Sequence, residues 1–230
     1  VLEQADITDR EHFIAEDNLW AFLQATQADT IKKLAEDYGT DARDEVFKAL
    51  RKELEQRLAN ARALLPEIRD YVDIIMTSAD DWGTQTNLIA SAKVYRSLFL
   101  PYHRRATDAM HALAPQVKLF LHSCGAIYDL IDPVIEAGFD VLNPVQWCAG
   151  KQSFREWKDK ARGRIALWGG GVNSQVTLPL VTVEDVEREV AEVVATMRQD
   201  SGYVFCNIHN ILAEIAPEKV IAMYRTAAAV

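Results

Sequence analysis

The stretch KLFLHSCGAIYDLI, residues 118–131, decides the fold. An apolar run stops at His122-Ser123-Cys124-Gly125, and a helical pattern through Leu130, Ile131 and Val134 follows at once. A buried strand that gives way to a helix within a few residues is half of a βαβ unit, the building block of parallel sheets. Side chains at i and i+2 of a strand point the same way, so His122 and Cys124 stand side by side at its carboxyl end. Taken as residues alone, the pair is either the corner of a metal site or two ordinary buried side chains.

Working outward, the same alternation recurs. YVDIIMTS (71–78) is a strand, and the helix over 91–113 buries Val94, Leu98, Tyr102, Ala106 and Leu113, with a kink or break expected at Pro101. On that helix His103 and His111, beside Arg104 and Arg105, are expected at the surface. Gly138 ends the helix after residue 131, and FDVLNPVQ (139–146) is the next strand. A short helix carries Phe154 and Trp157, and RIALWGGG (164–171) is a strand ending in glycines. Thr182 caps the following helix with Asp185 in the capping-box position, and Val183, Val186, Val190, Val193 and Met197 form its buried stripe. GYVFCNIHN (202–210) is the last strand, and a helix near 217–228 with Pro217 in its first turn closes the chain. Five such units imply a parallel sheet with right-handed crossovers, either doubly wound or a barrel.

Residues 1–70 differ. They hold no convincing strand. Phe13, Ile14, Leu19, Trp20, Phe22 and Leu23 suggest a helix over 11–28, and Tyr38-Gly39-Thr40-Asp41 reads as a helix stop and restart. Val46, Phe47, Leu50, Leu54, Leu58, Ala61 and Leu65 then mark a long amphipathic helix ended by Pro66. The chain therefore divides near residue 70, with a helical segment over 1–70 and a strand–helix region over 71–230.

The composition is that of an ordinary globular protein: 230 residues, 49% apolar and 26% charged. A net charge of −9 argues against a nucleic-acid surface, which needs clustered Lys and Arg. No apolar run approaches the roughly 20 residues that span a bilayer, and no signal-peptide pattern is seen. Three cysteines do not suggest a disulfide framework, and a cytoplasmic location is expected. The first residue is Val, so an amino terminus that has been processed or cut back is expected.

In parallel α/β folds function collects at the carboxyl ends of the strands. Those ends carry Asp80, Asp81 and Gln85; His122 and Cys124; Asn143 to Gln146; Trp168 with Gly169-Gly170-Gly171; and Cys206, Asn207, His209 and Asn210. They point to one shared pocket. Catalytic Zn²⁺ commonly takes three Cys or His ligands and keeps a fourth position open. His122 and Cys124 would supply two. Cys206 is the expected third, and His209 competes with it, or serves as an acid/base or substrate contact. Asp80-Asp81 is read as an acid/base pair or a hold on a polar substrate, with a solvated turn as the plain alternative. The triglycine lacks dinucleotide-binding spacing and is expected to let a bulky ligand approach the backbone at Gly170. Gln85, Asn143, Gln146, Trp168 and Asn210 complete the expected substrate contacts. Cys148 is expected to be an ordinary thiol.

Several stretches carry a resemblance: YVDIIMTSADDWGTQ, YRSLFLPYHRRATDAMH, LHSCGAIYDLI, EAGFDVLNPVQ, LWGGGVNSQVTLP, GYVFCNIHNI and PEKVIAMY. In this order, from about Tyr71 to Ala227, they resemble the uroporphyrinogen decarboxylase superfamily, in its corrinoid-dependent methyltransferase-like branch. The resemblance implies a TIM-type (β/α)₈ barrel with its active site at the carboxyl end. It implies zinc held by an H-x-C-G motif and a later Cys, here His122, Cys124 and Cys206. It also implies methyl transfer between a small substrate or thiol and a corrinoid (cobalamin) carried on a partner protein; Asp81 and His209 are the catalytic residues expected at the strand ends. The decarboxylases of the superfamily use no metal, and their histidine near the last strand falls on His209. A metal-free porphyrinogen carboxy-lyase and a non-catalytic tetrapyrrole- or corrinoid-binding module are thus the alternatives. Eight strands need three more than residues 71–230 offer, so a fragment or incomplete chain is expected, its open edges meeting a missing barrel half or another copy of the chain.

Overall fold

The computed structural model describes residues 42–230, so the helix expected over 11–28 lies outside the described residues. Helix α1 (Ala42–Ile68) presents Leu54, Leu58, Ala61 and Leu65 as one buried stripe, the spacing that a helix period demands. Pro66 does not end it. It sits inside the last turn, where its missing N–H costs a single i→i−4 bond, and the helix runs on to Ile68.

Five parallel strands follow: β1 (Ile74–Ala79), β2 (Lys118–His122), β3 (Val141–Asn143), β4 (Ala166–Trp168) and β5 (Tyr203–Val204). They pair in the order β1-β2-β3-β4-β5. Each crossover therefore moves one strand over in the same direction, with no reversal. A doubly wound sheet reverses at a switch point and a barrel wall does not, so this is part of a (β/α) barrel.

Between the strands lie α2 (Ala92–Leu98) and α3 (Leu100–Leu113), broken at Phe99 with Pro101 in the first turn of α3, then α4 (Ile131–Glu136) after a short 3-10 turn. They are followed by α5 (Phe154–Ala161), the single turn α6 (Thr177–Leu180), α7 (Val183–Met197) and α8 (Pro217–Ala229). The capping box of Thr182 and Asp185 opens α7, and a second one, Ser153 with Glu156, opens α5.

Alternation along β2 explains where the core sits. Leu119 and Leu121 face the helices and join Leu142, Leu167, Ile131, Trp157 and Met197 in the main core. Phe120 faces the other way, edge-on to Trp168 at 5.5 Å, and His122 shares its face. His103 is a correction to expectation. It is buried, not at the surface, with its ring against Phe139 and its Nδ1 2.8 Å from the Tyr95 hydroxyl. His111 bonds Asp140 through Nε2 at 2.8 Å.

Candidate functional site

All five strand ends contribute to one cavity of about 620 Å³. Asp81 and Gln85 follow β1, Cys124 follows β2, Gln146 follows β3, Gln175 follows β4, and His209 and Asn210 follow β5.

The site is built around the H-x-C-G loop. His122 and Asn143 are direct register partners on β2 and β3. Asn143 Nδ2 donates to the Trp168 carbonyl at 2.9 Å, and its Oδ1 lies 2.6 Å from His122 Nδ1. A carbonyl can only accept, so the Asn143 amide has one permitted orientation, and Nδ1 of His122 carries the proton. The lone pair is thereby left on Nε2, 3.4 Å from Cys124 Sγ.

The rest of the loop is pinned from three sides. Asp81 Oδ1 accepts from the Cys124 N–H at 2.8 Å, and Gln146 Oε1 accepts from the Gly125 N–H at 2.8 Å. The Trp82 N–H donates to Ser123 Oγ at 3.1 Å. Gly125 adopts φ 90, and a Cβ there would lie 2.3 Å from the Gly83 carbonyl, so the loops after β1 and β2 touch backbone to backbone.

His209 closes the cluster. It holds φ 63, a left-handed conformation uncommon outside glycine, and its ring centroid is 6.1 Å from that of His122. The ligand atoms of His122, Cys124 and His209 all lie within 4.8 Å of one another. With Zn–S near 2.3 Å and Zn–N near 2.0–2.1 Å, two donors on a tetrahedral zinc stand roughly 3.5 Å apart. The His122–Cys124 separation matches that figure, and the imidazole–thiol–imidazole donor set suits zinc. Burial first, then the neighbouring Asp81 charge, pushes the Cys124 thiol up to about 12, so without a cation it stays protonated at neutral pH.

Other expected residues fall elsewhere. Cys206 is outside the three-residue cluster; its Sγ donates to the Asn207 carbonyl at 3.3 Å, and burial pushes it up to about 11. Asp80 is 4% exposed and does not line the cavity; its charge acts instead on Arg57 and Tyr95 behind the sheet. Trp168 contributes its carbonyl to Asn143 and its ring to Phe120. Gly170 does not make room for a ligand. Its carbonyl accepts from Trp147 Nε1 at 2.7 Å, and a Cβ would meet Val145 and Trp147, so the glycine admits the neighbouring loop. Gln175, Glu214 and an aliphatic wall with Leu178 and Leu212 line the cavity without having been singled out by their residue types.

Fold and site together define part of a (β/α) barrel whose polar residues meet at the carboxyl ends of its strands. The family model described as uroporphyrinogen decarboxylase (URO-D) matches residues 41–230, and the chain belongs to that family. The match begins at residue 41 and so takes in α1 as well as the sheet. A uroporphyrinogen decarboxylase of Syntrophotalea carbinolica is 30% identical over 139 residues, 60% of this chain and 36% of that protein. One from Legionella pneumophila strain Corby is 25% identical over 160 residues, 70% of this chain and 42% of the other. The chain thus spans about two fifths of the length of these relatives. Among solved structures, a methyltransferase from Methanosarcina mazei superposes with a TM-score of 0.66 at 18% identity, over 93% of this chain and 57% of that one.

Proposed function

We propose that the chain is the active-site portion of a zinc-dependent methyltransferase, moving a methyl group between a small thiol or methylated substrate and a corrinoid held on a partner protein. The observation that supports this reading most is the clustering of His122, Cys124 and His209 donors within 4.8 Å, with the Nε2 lone pair of His122 aimed at the thiol by Asn143. Zinc, when bound, supplies the positive charge that favours the deprotonated form of a thiol beside it. The chain's own residues do the rest. Asn143 keeps the imidazole in one tautomer, and Asp81 and Gln146 fix the backbone on either side of the Cys124 carbonyl. The third ligand comes from the segment after β5, with His209 already in reach and Cys206 the residue implied by resemblance to the methyltransferases. Metal analysis of purified protein tests this. About one zinc per chain is expected, and it is lost in Cys124→Ser. Loss in His209→Ala with retention in Cys206→Ser makes His209 the third ligand, and the reverse result makes it Cys206. A protein that binds no zinc in any form sinks the reading.

A second reading is a metal-free carboxy-lyase, which the names of the relatives at 25–30% identity favour. Carbon dioxide release from uroporphyrinogen by the zinc-free protein would establish it. The three cysteines are free thiols, and a cytoplasmic location is part of this proposal. Among the described residues no helix is long and apolar enough to cross a membrane.

A further inference from the structure

Asn143 and Gln146, the two amides that shape the H-x-C-G loop, both stand on the short loop after β3, so the course of that loop sets both of them. The course is an unusual one. Val145, between them, is fully buried and holds φ 61, a left-handed conformation that a β-branched residue strongly disfavours. The Trp147 N–H donates to the Val145 carbonyl at 2.8 Å and closes a three-residue turn around Gln146. Backbone of this kind persists only where its surroundings over-determine it.

The surroundings are the glycines after β4. Trp147 Nε1 donates to the Gly170 carbonyl at 2.7 Å, and the ring lies edge-on to Phe154 at 5.3 Å, so the indole is held on two sides. At Gly169 a Cβ would run into the Pro144 carbonyl. The glycines are themselves held in place, because the N–H groups of Gly169 and Gly171 donate to the Val204 and Cys206 carbonyls at 3.0 and 2.8 Å. The loop after β3 is therefore wedged between a glycine segment bonded to the last strand and the H-x-C-G loop. Trp147 is the side chain that ties it to the glycines.

We infer, resting on the zinc reading above, that Trp147 is a positioning residue for the metal site. By clamping the loop after β3 to Gly170, it holds Asn143 Oδ1 at His122 Nδ1 and Gln146 Oε1 at the Gly125 N–H. The Nε2 lone pair of His122 is thereby kept turned to the metal. Gly169 leaves the space in which the clamp closes, and Trp147 acts only through the two amides.

Two variants test the clamp. Trp147→Phe removes the N–H and keeps a ring against Phe154, and Gly169→Ala pushes on the Pro144 carbonyl. Gly163→Ala is the control. Gly163 lies in the turn before β4, at the opposite end of that strand from Gly169, with φ 68 and nothing within 4 Å of a Cβ, so the change strains the backbone without touching the site. Two quantities are read on each protein. One is the His122 tautomer in the metal-free chain, by NMR of isotope-labelled histidine at about pH 8.5, where an ordinary imidazole is neutral. The other is zinc affinity by chelator competition. The native chain is expected to hold His122 in the Nδ1–H form alone. Both clamp variants are expected to show mixed tautomers and to bind zinc about 10-fold more weakly, the low end of what partners behind a ligand contribute. Gly163→Ala is expected to lose stability in urea and to change neither quantity. A native tautomer and native zinc affinity in both clamp variants overturn the inference. So does an equal loss in Gly163→Ala, which would make the effect one of general loosening. The tautomer is read without metal, so the two readings fail separately. Mixed tautomers in the clamp variants of a chain that binds no zinc keep the clamp and remove the zinc reading. Zinc bound with full affinity and an unaltered tautomer in those variants does the reverse.

Discussion

Asn143 carries two hydrogen bonds of fixed polarity, one to a carbonyl and one to an imidazole, and the second determines which nitrogen of His122 meets a metal. Asn143→Leu removes the acceptor and frees the ring, and zinc affinity measured by chelator competition is expected to fall about 10- to 100-fold. Asn143→Asp keeps an acceptor at Nδ1 and is expected to retain most of that affinity. Equal losses in the two variants would make Asn143 a packing residue only. Strand alternation revealed from the sequence that Asp81, Asn143 and Gln146 sit at strand ends. It did not reveal that their polar atoms are committed to the loop after β2, because that depends on register between strands far apart in the chain. The Asp80-Asp81 pair shows the same limit. Neighbouring residues face opposite ways, so one of the two must leave the pocket. A register irregularity between Met76 and Ser78 resets the alternation just before them, which no residue type there announces.

At the scale of elements, the loop after β2 depends on Gly125 as much as on its ligands. Its φ of 90 disfavours any side chain, and Gly83 lies where a Cβ would go. Gly125→Ala is therefore expected to destabilise the protein by about 2–3 kcal/mol in urea unfolding and to lower zinc affinity at the same time. A variant with unchanged midpoint and unchanged zinc binding would show that the two loops are not in close contact. Elements with strong local signals were legible: the capping box at Thr182, the break before Pro101, the stripe on α7 from Val186 to Met197 (Val183 is only half-buried) and the glycine stop at Gly138 all lie where the residues place them. The last strand was legible in position and not in length. GYVFCNIHN reads as one long strand, but only Tyr203 and Val204 form it; the Cys206 carbonyl still accepts from the Gly171 N–H, in step with Val204 and Gly169. Beyond that point the segment belongs to the cavity, and an apolar pattern alone cannot separate a strand residue from a pocket residue. The barrel-type order of strands was left open by the sequence for a similar reason, since alternation fixes the units and not the side on which each crossover returns.

Across the whole molecule, the sheet is held to its helices partly by a buried polar group joining α1, α2, α3 and the end of β1. His103 lies at its centre, bonded to Tyr95, and the charges of Arg57 and Asp80 act on it and its partner. Burial, with the Arg57 charge second, pushes His103 down to about 3. The unfolded chain takes up that proton near pH 6.5, so between about 3 and 6.5 the unfolded state holds one proton more than the folded state. Stability from this group is complete above pH 6.5 and drains away as pH falls through the window, with a slope of at most about 1.4 kcal/mol per pH unit. Urea unfolding of the native protein at pH 7.5 and pH 5 is expected to show this loss. His103→Gln keeps a polar group for the Tyr95 hydroxyl and does not titrate, so it should be less stable at pH 7.5 and lose clearly less on acidification. Identical losses in the two proteins would place the acid sensitivity elsewhere, in carboxylates such as Asp140 and Glu136, whose folded forms are held below their usual range by hydrogen bonds and basic neighbours.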